Sequence, residues 1–95
     1  MKLTNKMVHD IKKILVHYGP DAEKGKAIEE LLELKNEIFA DLYGSHAELC
    51  DIKEEIADVY VVLEHLKNIY HITDQEVMEV MKLKINRQLG RMEND

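Results

Sequence analysis

Glu55 and Asp58 stand three residues apart where the chain is most apolar, Ile56-Ala57-Asp58-Val59-Tyr60-Val61-Val62-Leu63, with Glu54 just before them. An isolated buried carboxylate costs several kcal/mol or takes up a proton. A core helix that keeps both residues therefore calls for a cation. A second acidic cluster, Glu29-Glu30-Leu31-Leu32-Glu33, lies upstream. At helical periodicity Glu30 and Glu33 fall about 60° apart on one side of their helix, and Glu55 and Asp58 do the same on theirs. Two such helices packed face to face would gather Glu30, Glu33, Glu55 and Asp58 around one point. An all-oxygen, strongly anionic donor set suits Mg²⁺, with Mn²⁺ as the substitute, and suits zinc poorly.

Less specific accounts compete with this one. Glu29, Glu30, Glu33 and Glu37 fall away from the mean apolar direction of their segment, so a solvated acidic face explains them without a metal. That account does not extend to Glu55 and Asp58. For these two the alternative is a buried salt bridge to Lys84, Arg87 or another base.

The elements that must position these groups are helical throughout, with no strand alternation anywhere. Met7, Val8, Ile11, Ile14, Leu15 and Tyr18 mark an amphipathic helix from about Thr4 to His17, ended by Gly19-Pro20. A second helix is expected from an N-cap at Asp21 to about Leu42. Its apolar residues spread over a broad arc, which predicts burial against more than one neighbour. Tyr43-Gly44-Ser45-His46 reads as a break, and a central helix follows from Ala47 or Asp51 to Tyr70. Thr73-Asp74-Gln75-Glu76 has the form of a capping box, opening a last helix to about Met92. The expected architecture is one all-α domain over residues 1–95, a four-helix bundle completed by oligomerisation.

Composition agrees with that outline. A chain of 95 residues buries only roughly 60–65% of its unfolded surface. With 45% hydrophobic residues, one Pro and four Gly, it is suited to sharing surface with a partner, as a homodimer or a dimer of dimers. Its net charge of −6, from 13 basic and 19 acidic residues, argues against a broad electrostatic grip on nucleic acid. The final basic helix also lacks an adjoining helix-turn-helix pattern, which disfavours a transcription factor. No stretch reaches the length of a membrane span, and Met1 to Lys6 carries no signal-peptide core. The expectation is a soluble, cytoplasmic protein. Cys50 is the lone cysteine, so an internal disulfide and a thiolate metal site within one chain are both excluded.

Ala27-Ile28-Glu29-Glu30-Leu31-Leu32-Glu33-Leu34, followed by Glu54-Glu55-Ile56-Ala57-Asp58-Val59, resembles the ExxE…ExxD signature of the MazG-like nucleoside triphosphate pyrophosphohydrolases. The resemblance covers most of the chain. A lead helix ending in Tyr18-Gly19, two acidic helices and a basic C-terminal helix from Lys82 to Arg91 follow the family's order. It implies an all-α, dimer-based fold that uses Mg²⁺ to cleave a nucleotide between its α- and β-phosphates, in bacteria and their viruses often to remove unwanted nucleotides. Carried over by position, Glu30, Glu33, Glu55 and Asp58 would be metal ligands and catalytic groups. Any of the four could be the general base. Glu33 is the choice here, since it could ligate metal and also accept a proton from bound water. The connection from Tyr43 to Leu49 is short for the family, so a loop closing over the base is missing or comes from another subunit.

On the last helix Lys84, Arg87 and Arg91 follow i, i+3, i+7 spacing and would suit the oxygens of the β- and γ-phosphates or of leaving pyrophosphate. The family's basic residues and Asn in this region add Asn86 to that set. The competing role is complementing the helix dipole, at a few tenths of a kcal/mol apiece. His9, His17, His46, His65 and His71 form no i, i+4 pair and no pattern with the acidic ligands, and are expected at the surface or in caps. Tyr18, Tyr60 and Tyr70 could border a base pocket but are more simply buried packing, and Met7, Met78, Met81 and Met92 are core or interface filler. Outside the enzyme class, a non-catalytic helical regulatory or interaction protein of the same fold is the alternative.

Overall fold

The computed structural model of the protein describes residues 2–44 and 48–94, and among them every regular element is an α-helix. Helix α1 spans Asn5–Tyr18, α2 Pro20–Leu42, α3 Leu49–Tyr70 and α4 Asp74–Glu93. Their boundaries follow local chemistry. The Thr4 hydroxyl accepts a hydrogen bond from the Met7 amide and caps α1. Gly19, at φ 89° and ψ 162°, takes a backbone conformation reserved for glycine and lets α2 begin at once. Pro20 then occupies the first turn of α2, where its missing N–H goes unneeded. The N-cap expected at Asp21 is thus displaced to Gly19, and Asp21 lies in the first turn.

The break expected after Leu42 starts as a turn at Tyr43 and Gly44, the latter at φ 83°. Ser45, His46 and Ala47 lie outside the described residues. His71, in the left-handed conformation at φ 58°, ends α3. The capping box is formed as expected: the Thr73 hydroxyl accepts from the Glu76 amide, and the Glu76 carboxylate accepts from the Thr73 amide. These bonds hold the Glu76 carboxyl below its usual range. Lys67 ties the end of α3 to the start of α4, pairing with Glu64 at 2.8 Å and with Asp74.

The packed unit is the α2–α3 hairpin, with α1 laid against both helices. On α2 the residues with low exposure include Glu23, Ala27, Glu30, Leu34 and Glu37; on α3 they include Ile52, Glu55, Val59, Val62 and Leu66. Each row alternates steps of three and four, the spacing of a helix–helix seam. Carboxylates therefore occupy positions that leucine or isoleucine would normally fill. The broad apolar arc of α2 is not buried against several neighbours as expected, because Ile28, Leu32, Phe39 and Leu42 all stay exposed.

α4 stands apart and contains no buried residue. Met78, Met81, Ile85, Leu89 and Met92 are exposed along it. The accessible surface is 7853 Å², against about 5,700 Å² for a compact monomer of 11.1 kDa. The radius of gyration is 16.0 Å, against about 12 Å for a compact chain of this length. Among the described residues, no helix is long and apolar enough to cross a membrane.

Candidate metal centre

Within the seam, Glu30 from α2 meets Glu55 and Asp58 from α3. One ligand oxygen from each of the three lies within 4.8 Å of the others. Three-residue spacing on α3 turns Glu55 and Asp58 toward one point, and α2 supplies Glu30 from across the seam. Glu30 is 6% exposed, Glu55 is half-buried, and Asp58 is exposed at the rim. The solvated-face account therefore fails for Glu30. Asp58 is less enclosed than a core-helix position suggests.

Electrostatics bind the cluster together. Burial, then repulsion from Glu33 and Glu30, pushes the Glu55 carboxyl up from 4.5 to about 7. A hydrogen bond to Glu30 and the Asp58 charge act the same way. Burial also raises Glu30, with Asp58 and Glu33 adding to it and Lys26 opposing. Lys26 Nζ lies 3.6 Å from Glu30 Oε1. Glu33 stands outside the close trio, but its charge reaches both Glu30 and Glu55. Among the described residues, no ion pair joins Glu55 or Asp58 to Lys84 or Arg87.

The donor set fits a hard divalent cation. Oε2 of Glu30 and Oε2 of Glu55 are buried without a hydrogen-bond partner, and such atoms call for an explanation. A cation among them would satisfy both oxygens and remove the mutual repulsion, and the set contains only oxygen donors.

The cluster opens into a cavity of about 620 Å³ lined by Glu30 and Asp58, with Ile14, Tyr18, Val61 and Val62 among its apolar walls. That volume is in the range of small-molecule sites. Lys84, Asn86, Arg87 and Arg91 do not line it; all four are exposed on α4. Tyr18 does border the cavity and is exposed, not packed.

Two further residues of the same cavity were not singled out by their sequence. His65 is 2% exposed and faces Glu23, 5% exposed, with Nε2 and Oε2 3.4 Å apart. The surface or cap position expected for His65 is overturned, because it occupies the buried side of α3. The available signal was its place seven residues after Asp58, as Glu23 stands seven before Glu30. Cys50 is an exposed free thiol in the first turn of α3. Comparison of the chain with known protein families, with curated proteins and with solved structures found no match.

Proposed function

We propose that this chain is a Mg²⁺-dependent nucleoside triphosphate pyrophosphohydrolase of the MazG-like kind, releasing a nucleoside monophosphate and pyrophosphate. The observation that carries the reading is the convergence of Glu30, Glu55 and Asp58 across the α2–α3 seam, with two buried carboxylate oxygens left unpartnered. The ion, Mg²⁺ or Mn²⁺, would screen the carboxylates from a polyanionic substrate, polarise the phosphorus under attack and ease deprotonation of water. Glu30, Glu55 and Asp58 hold it, and Glu33, at the margin of the trio, is the proposed ligand and general base. The adjoining cavity provides the volume for a nucleotide.

Lys84, Asn86, Arg87 and Arg91 are the proposed phosphate contacts. Since none lines the cavity of its own chain, they would serve from a second copy, in a homodimer or dimer of dimers. That arrangement would also cover the exposed apolar residues of α2 and α4. The proposed setting is cytoplasmic nucleotide house-cleaning.

Pyrophosphate release from deoxynucleoside triphosphates with Mg²⁺ tests the reading. Glu55→Gln or Asp58→Asn should lower turnover by about a hundredfold or more while helical circular dichroism is retained. Orthophosphate as the main product would reject the proposed bond. A second reading, a non-catalytic interaction protein, draws on the wide apolar exposure. It requires that Mg²⁺ leave the melting temperature unchanged, whereas binding to the native state alone must raise it.

A further inference from the structure

Glu23 and His65 are as enclosed as any polar groups described, and the metal cluster does not use them. Packing alone does not account for the pair, because apolar residues of similar volume would serve a helix seam at least as well. His65 Nδ1 is buried with no partner, so the chain itself leaves one hydrogen-bonding position unfilled. Both residues line the cavity that also receives Glu30 and Asp58. Seven residues separate Glu23 from Glu30 on α2 and Asp58 from His65 on α3, about 10 Å along each helix. The cavity thus has an anionic, metal-suited end and, two turns away, a second polar station, with Ile14, Tyr18, Val61 and Val62 among the walls.

We propose that the Glu23–His65 station reads the base of the nucleotide, selecting bases that carry an exocyclic amine (cytosine, adenine, guanine) over uracil and thymine. The inference rests on the triphosphatase reading for the placement of the phosphates at the acidic end. An ionised carboxylate is an acceptor only. In the neutral tautomer that carries its proton on Nε2, 3.4 Å from Glu23 Oε2, Nδ1 is an acceptor as well. Both free positions therefore ask for N–H groups, which an exocyclic amine supplies. Uracil and thymine offer a single N3–H flanked by two carbonyls, whereas an amine offers two N–H groups, so in a desolvated site one of the two acceptor positions would face a carbonyl, a mismatch that discriminates. Glu23 is the specificity residue, and His65 is a positioning residue that fixes its carboxylate.

Steady-state pyrophosphate release from dCTP, dATP, dGTP, dUTP and dTTP with Mg²⁺ is the test. The unaltered protein should show kcat/KM at least about tenfold higher for the first three, expressed in KM. Glu23→Gln, whose amide can donate to a carbonyl, should bring the ratio to within about threefold. His65→Gln should reduce the ratio in the same direction, and serves if Glu23→Gln does not fold. Calorimetric titration of the unaltered protein with dCMP and dUMP needs no turnover and should show about tenfold tighter binding of dCMP. Equal kcat/KM across the five nucleotides, or an unchanged ratio in Glu23→Gln, overturns the assignment. If no triphosphate is cleaved while dCMP still outbinds dUMP, the base station stands and the hydrolase reading falls. Cleavage of all five at one rate with equal monophosphate affinities does the reverse.

Discussion

Glu55 is the residue on which pH acts most directly. Its carboxyl is raised from 4.5 to about 7 in the folded chain, and Glu30 is shifted in the same direction. Between those two pH values the unfolded chain has released a proton that the folded chain retains. The unfolded state then binds fewer protons, so stability falls as pH rises. In chelator, the melting temperature should decline from about pH 4.5 to about pH 7, and Glu55→Gln should flatten that decline. Mg²⁺ should restore stability at pH 7 and release protons on binding below it, since the ligands must be ionised. A melting curve in chelator that rises steadily over this interval would show that the carboxylates do not crowd one another.

At the scale of elements, Gly19 and Thr73 are the two positions where local chemistry sets a boundary. Gly19→Ala forces a side chain into a conformation with φ 89°, at a cost of about 1–3 kcal/mol, and should lower the melting temperature by several degrees. Thr73→Ala removes one arm of the capping box and should cost about 1 kcal/mol, felt mainly as fraying of α4. Amide exchange in Asp74 to Val77 would report it, and unchanged protection there would contradict the assigned cap.

These elements were largely legible in the sequence, because each boundary carries a local signal: Thr4, Gly19-Pro20, and the Thr73–Glu76 box. The two acidic residues of α3, Glu55 and Asp58, were legible for a similar reason, as charges in and beside the Ile56 to Leu63 stretch stand out. Glu30 was only half legible. Its segment has apolar residues all round, and a mean apolar direction is a poor guide to which face meets the neighbouring helix. In the fold Glu23, Ala27 and Glu30 face α3, and Leu32 and Phe39 do not. Glu23 and His65 escaped because their partnership crosses between helices 42 residues apart in sequence, beyond any local periodicity.

The whole molecule exposes about 2,000 Å² more than a compact monomer of its mass, a comparison set by surface scaling. A specific interface buries about 1,200–2,000 Å² in total, so the exposed apolar residues are sufficient to form one. Sedimentation equilibrium should give a particle of at least two 11.1 kDa chains. Phe39→Lys with Leu42→Lys, both exposed at the end of α2, should shift it toward monomer. If α4 supplies phosphate contacts to another subunit's cavity, that monomer should lose turnover while keeping the acidic trio.

Divalent-ion binding tests the central claim most directly, through the paramagnetic resonance of free aqueous Mn²⁺ titrated with protein at pH 7.5. The account predicts loss of the free-ion signal on adding unaltered protein, reversal by excess Mg²⁺, and no such loss with Asp58→Asn or Glu55→Gln. A free-ion signal unchanged by the unaltered protein, or removed equally by the two variants, would contradict it.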